Sequence, residues 1–216
     1  MSESPQGDVS VALYESFTQS VRDLADTALR TNAGADELAR AQAEIEAITA
    51  RLAADQIPGT HGEHCSTPTG VSGWGNTVVG IRNAAAMPLR FSVAGDGMRL
   101  WADFTPGALY EGPPGHMHGG VIAMLLDQAL GELSMRSGHP GLTANLSIDY
   151  KAPTKLNTPL RIEAWYDRTE GVKTWTRGHI TTADGTVCAE ATGLFILPRW
   201  VRDLPPEEVA KAHQHD

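Results

Sequence analysis

His118, Gly119 and Gly120 open an apolar run, Val121 to Leu133, that carries Asp127 near its centre. Two glycines at the start of a helix leave backbone N–H groups uncovered at the positive end of the helix dipole. Such a place suits an oxyanion or a polarised carbonyl oxygen. A carbonyl polarised there needs a base or a nucleophile, and Asp127 is the acid at hand. The alternative for Asp127 is structural, a carboxylate paired to an arginine or capping a loop, because an ionised side chain is rarely buried without a partner. At about 1.5 Å of rise per residue, the steps from Gly119 to Asp127 span roughly 12 Å along one helix, so one chain cannot bring both onto the same atom. If they cooperate, Gly119 comes from one subunit and Asp127 from an antiparallel copy of the helix in another. The spacing therefore predicts a two-fold homodimer.

The elements that must position these residues follow from periodicity and turn residues. The apolar run is too hydrophobic all round for a surface helix, and Ser137-Gly138 with Pro140 beyond it ends it. Before it, Leu89–Val93 and Met98–Phe104 flank Gly95-Asp96-Gly97 and predict a hairpin. After it come four predicted strands: 142–150, 160–166, 172–182 and 186–197. In the first of these Leu142, Ala144, Leu146, Ile148 and Tyr150 alternate with Thr143, Asn145, Ser147 and Asp149, so one face packs and Thr143 falls on the polar side. Strands, one long buried helix and a run of antiparallel strands predict an α+β fold, a curved antiparallel sheet wrapped around a central helix.

Residues 1–55 predict an N-terminal helical extension of two amphipathic helices, broken at Thr31–Gly34, with Asp36 able to cap the second. In the second helix Leu38, Ala41, Ile45, Ile48 and Leu52 form one apolar stripe, expected to dock on the domain or on a partner subunit. Residues 56–75 read as a Gly/Pro-rich linker, 76–200 as the main domain and 201–216 as a solvated tail. The chain has 216 residues, a net charge of −9 and a pI near 5.3, which argues against a nucleic-acid binder. No stretch reaches the length of a membrane span, MSESPQGDVS lacks a signal pattern, and the expected location is cytoplasmic. Cys65 and Cys188, far apart, give no disulfide framework.

GHMHGG, the Asp of LLDQ nine positions after His118, the strand SIDYKAP and the stretch DGTVCAEATGLF occur in that order. Over roughly residues 74–198 they resemble the hotdog-fold acyl-CoA thioesterases, above all the phenylacetyl-CoA thioesterase-like group and the mammalian thioesterase superfamily proteins. The resemblance implies a hotdog fold in which two subunits join their sheets edge to edge, with sites at the dimer interface; whether such a homodimer pairs further into a dimer of dimers is left open by the sequence. It implies that the Gly119 N–H, within the motif His118-Gly119-Gly120, polarises the thioester carbonyl. Asp127 of the other subunit then acts as general base for water or as nucleophile, and Thr143 orients the water. It further implies an acyl-CoA substrate whose CoA runs near Asp149, Lys151 and Lys173, with no metal or organic cofactor. Some members carry an Asn or Gln upstream of HGG as a second carbonyl donor; here that stretch reads EGPPGHM.

Other residues compete for attention. Lys151, Lys155, Arg168, Lys173 and Arg177 are cations for CoA phosphates or exposed strand charges. His61, His64 and Cys65 lie close together, but no further Cys or His completes a tetrahedral metal site. His118 is expected to orient the loop through a backbone hydrogen bond rather than act as a base. His116 with Asp127 would be the acid–base pair of a hydroxyacyl thioester dehydratase or hydratase. A non-catalytic acyl-CoA-binding regulator is the third reading. A serine hydrolase or a phosphate-cradling loop finds no motif.

Overall fold

The apolar run folds as predicted, into the central helix of a computed structural model that describes residues 10–59 and 74–199. His61, His64, Cys65 and residues 201–216 lie outside the described residues. In chain order the elements are α1 (Val11–Arg30), α2 (Ala35–Ala53), β1 (Ser92–Val93), β2 (Arg99–Phe104), α3 (Gly119–Arg136), β3 (Leu142–Tyr150), β4 (Leu160–Glu170), β5 (Lys173–Thr182) and β6 (Val187–Ile196). All six strands form one antiparallel sheet in the order β1-β2-β4-β5-β6-β3, which leaves β3 on an edge.

Alternation along the strands builds the face that α3 covers. Leu160, Ile162 and Ala164 on β4, Thr174, Thr176 and Ile180 on β5, and Ala189, Ala191 and Phe195 on β6 are buried beneath Ile122, Leu125, Leu126, Ala129, Leu130 and Leu133 of α3. Close approach is possible because two sheet positions lack side chains. A Cβ at Gly178 would lie 3.2 Å from Leu130 Cδ2 and one at Gly193 would lie 3.2 Å from Leu130 Cδ1. The buried Thr176 hydroxyl is satisfied by donating to the Leu130 carbonyl at 3.2 Å.

Two expectations change at the edges. The hairpin before α3 has only two residues in its first strand, Ser92–Val93; Leu89 is buried but sits in an irregular turn, its N–H bonded to the Met87 carbonyl. On β3 the predicted packed face is covered only at its middle. Leu146 and Ile148 are half-buried, whereas Leu142 is 59% and Tyr150 55% exposed, because an edge strand has a neighbour on one side only.

Both N-terminal helices form. Ser10 caps α1, its side chain accepting from the Leu13 N–H, and α1 docks on the domain through Arg22. That guanidinium, 7% exposed, donates to the backbone carbonyls of Ala86 at 2.9 Å and Asn83 at 3.0 Å. α2 is capped by Gly34, with Asp36 in the first turn rather than at the cap. No residue of α2 is buried, so its stripe of Leu38, Ile45, Ile48 and Leu52 does not dock on its own domain. Among the described residues no helix is long and apolar enough to cross a membrane.

Candidate active site

The loop before α3 is held tightly and delivers Gly119. Glu111 and Met117 form an antiparallel bridge, the His118 N–H bonds the Tyr110 carbonyl at 2.9 Å, and the Met117 N–H bonds the Thr154 carbonyl at 2.8 Å. Gly112 permits this fold-back, since a Cβ there would sit 2.7 Å from His118 Cα. His118 is the N-cap of α3, and its Nδ1 accepts from the Gly120 N–H at 2.9 Å. This is the loop-orienting role expected of His118. It corrects the expectation for Gly120, whose N–H is occupied by the cap and is not a second free donor. The Gly119 N–H donates none of the hydrogen bonds among the described residues. Gly119 is fixed from the other side, because the Tyr150 hydroxyl donates to its carbonyl at 2.9 Å.

Asp127 lies two turns along, half-buried rather than engulfed. Its neighbours on the same open stripe are Met124, Gln128, Gly131 and Met135, all half-buried. The structural alternative, an acid paired to an arginine, is realised in α3 at another residue. Glu132 is 8% exposed and its Oε1 accepts from Arg136 Nε at 2.7 Å. Asp127 makes no ion pair among the described residues; instead Thr143 Oγ1 donates to Asp127 Oδ1 at 3.0 Å. Asp127 Oδ2 accepts none of the side-chain hydrogen bonds among the described residues.

Thr143 reaches Asp127 because of an irregularity that alternation does not reveal. The register of β3 against β6 shifts between Thr143 and Asn145. Beyond the shift Leu146 pairs with Gly193 and Ile148 with Ala191, facing α3; before it Thr143 pairs with Phe195, which is buried beneath α3. Directly paired residues of an antiparallel ladder point to the same face, so the bulge at Ala144 turns Thr143 from the expected outer side to the helix side.

Of the residues expected along CoA, Asp149 and Lys151 are brought together within one chain and Lys173 is not. Lys151 Nζ lies 3.3 Å from Asp149 Oδ2 and 3.5 Å from Glu190 Oε2, and the Asp149 hydrogen bond and charge push its pKa up. Asp149 pairs with Glu190 and Lys173 with Ile196, roughly 20 Å apart along β6. Arg168 is stacked on Trp175 and paired with Asp167 and Glu170, and Arg177 lies 3.4 Å from Asp167. Lys155 and Lys173 make no ion pair among the described residues, and Lys155 is bridged to His116, beside the donor loop. His116 Nδ1 faces the Pro114 carbonyl of its own loop at 2.8 Å. Among the described residues no group of His, Cys, Asp or Glu is arranged to hold a metal ion.

Sequence reasoning missed Asn76, whose Nδ2 donates to Gln128 Oε1 at 3.1 Å, next to Asp127. It also missed Tyr150 as the tether of Gly119. The alternation of β3 carried a signal for Tyr150; nothing local carried one for Asn76, 52 residues away in the chain.

Residues 114–189 match the family model described as the thioesterase superfamily. A crystal structure described as that of a thioesterase superfamily protein superposes with a TM-score of 0.75 at 34% identity, over 89% of this chain and 97% of that one. Acyl-coenzyme A thioesterase THEM4 of Xenopus laevis is 39% identical over 99 residues, 45% of each chain. The Bos taurus protein of the same name is 38% identical over 94 residues, 43% of this chain and 38% of that one. The chain thus spans less than half the length of these curated relatives.

Proposed function

Since the chain belongs to the thioesterase superfamily, we propose that it is an acyl-CoA thioesterase, hydrolysing a thioester to a free acid and CoA. The observation that carries this reading is the Thr143–Asp127 hydrogen bond on the open face of α3, which leaves one carboxylate oxygen unengaged. In this reading Asp127 Oδ2 takes a proton from water as the water oxygen bonds to the thioester carbon, or attacks that carbon itself. The carbonyl oxygen becomes an oxyanion held by the Gly119 N–H; collapse of the adduct expels the CoA thiolate, which takes up a proton, and on the nucleophilic route water then hydrolyses the acyl–Asp127 anhydride to release the acid and restore the carboxylate. Thr143 fixes the rotamer of the carboxylate and lies beside the attacking water. A single preorganised oxyanion donor supplies about 3 to 4 kcal/mol.

The two halves of the site come from two copies of the chain. Within one chain the helix and the edge strand are tied at two points, Gly119 to Tyr150 and Asp127 to Thr143, with about 12 Å of helix between them. A two-fold axis that sets β3 antiparallel to a second β3 lays the Asp127–Thr143 end of one copy beside the Gly119–Tyr150 end of the other. The exposed β3 edge and the half-buried stripe of α3 are the surfaces such a homodimer covers. The same operation carries Lys173 of one copy toward the end of the sheet that holds Asp149 and Lys151 of the other. Lys155 and Lys173 are then the cations offered to the CoA phosphates.

The hydratase reading loses ground because His116 is turned onto its own loop. The regulator reading gives no role to the Thr143–Asp127 pair. Free-thiol release from a panel of acyl-CoAs tests the proposal. Release by the wild-type chain that Asp127→Asn abolishes supports it; binding of acyl-CoA with no such release favours the regulator.

A further inference from the structure

The amide of Gln128, the residue after Asp127, is oriented by a chain of hydrogen bonds. Asn76 Oδ1 accepts from the N–H groups of Val78 at 2.6 Å and Val79 at 3.0 Å, which fixes Asn76 Nδ2 as a donor. That Nδ2 lies 3.1 Å from Gln128 Oε1, so Oε1 is the acceptor and Nε2 is presented as a donor on the other side of the amide. Nε2 donates none of the side-chain hydrogen bonds among the described residues. Met124, Gly131 and Met135 lie on the same helix stripe, so this donor stands in an otherwise apolar wall beside the candidate carboxylate.

We propose that Gln128 is a specificity-determining residue, its Nε2 donating to an oxygen carried on the first few carbons of the acyl group. The site then favours hydroxyacyl or oxoacyl thioesters over plain alkyl thioesters of the same length. The inference rests on the thioesterase reading above. Its physical basis is that a plain alkyl chain displaces water from the amide and leaves the N–H unpaired, whereas an acyl oxygen replaces the water. Asp127 and Gln128 are consecutive on α3, about 1.5 Å apart in rise, so an acyl group whose thioester carbon meets Asp127 presents its first few carbons to the turn that carries Gln128.

The test compares thiol release from 3-hydroxybutanoyl-CoA and butanoyl-CoA by the full chain, by Gln128→Leu and by Gln128→Glu. Gln128→Glu keeps an acceptor for Asn76 Nδ2 and removes the donor while adding a charge next to Asp127, so it stands in if Gln128→Leu misfolds and is read through the ratio between the two substrates alone. The wild type is expected to favour the hydroxyacyl substrate by about tenfold in kcat/KM, and both variants to bring that ratio to about one. Release that depends on Asp127 but shows the same ratio in all three proteins overturns the role of Gln128 alone. Absence of Asp127-dependent release from these and from the wider acyl-CoA panel overturns the thioesterase reading, and this inference with it.

Discussion

Thr143 Oγ1 donates to Asp127 Oδ1 at 3.0 Å, and it does so because a bulge at Ala144 turns the threonine toward the helix. In the proposed reaction the threonine determines which oxygen of the carboxylate is left for chemistry. Thr143→Ala is expected to lower kcat about tenfold or more with little change in KM, while Thr143→Ser restores most of it. Steady-state kinetics on one acyl-CoA separates the two; equal kcat in wild type and Thr143→Ala contradicts the assignment.

His118 acts through the backbone, its Nδ1 accepting from the Gly120 N–H. His118→Ala removes the cap of α3 and is expected to cost about 1 kcal/mol. In a chain of this size that corresponds to roughly 2–4 °C in Tm, read by thermal unfolding. His118→Asn supplies another capping side chain and is expected to recover most of the loss.

Arg22 joins α1 to the irregular segment that carries Asn76, by donating to the Ala86 and Asn83 carbonyls. Arg22→Met keeps the bulk but leaves the buried Ala86 carbonyl without its donor, at an expected cost of about 1–3 kcal/mol. Limited proteolysis should cut within α1 earlier in the variant than in the wild type. Equal protection would mean that other contacts of α1 hold it in place.

Cys188 is 1% exposed, and burial pushes its thiol above its usual range. The folded state therefore prefers the neutral thiol. The stability this contributes is present in full below the ordinary thiol value of 9.0 and is lost as the pH rises through the raised folded value. In a Cys65→Ser background, Cys188 is expected to resist a thiol reagent at pH 8 until the chain unfolds. Unfolding midpoints above pH 9 should fall less steeply in Cys188→Ala.

Much of the fold is legible because it rests on local pattern. The apolar run between paired glycines and Ser137-Gly138 gives α3, and alternation bounded by turns gives β3 to β6 within a few residues. The short β1 is not legible, since Leu89 is buried by tertiary packing without joining a ladder. Alternation also assigns Thr143 to the wrong face, because one bulged residue reverses parity and leaves no mark in the polar–apolar pattern. Glu132 and Asp127 share one helix and look alike as acids; only the position of Arg136 one turn on distinguishes the paired carboxylate from the open one. Contacts between distant segments, such as Arg22 with Ala86 and Asn76 with Gln128, lie beyond any periodicity.

In the proposed dimer Asp127 of one copy works with Gly119 of another. Asp127→Ala removes the carboxylate, and Gly119→Val crowds the donor, since a Cβ at Gly119 already touches the Tyr150 hydroxyl, at 3.5 Å, and its ring, and the two methyls of valine extend beyond it. Each variant alone should release little or no thiol from an acyl-CoA. After the two are unfolded together and refolded as a mixture, verified mixed dimers should regain about one working site each, formed by the intact Asp127 of one copy and the intact Gly119 of the other. No recovery in verified mixed dimers would contradict the account.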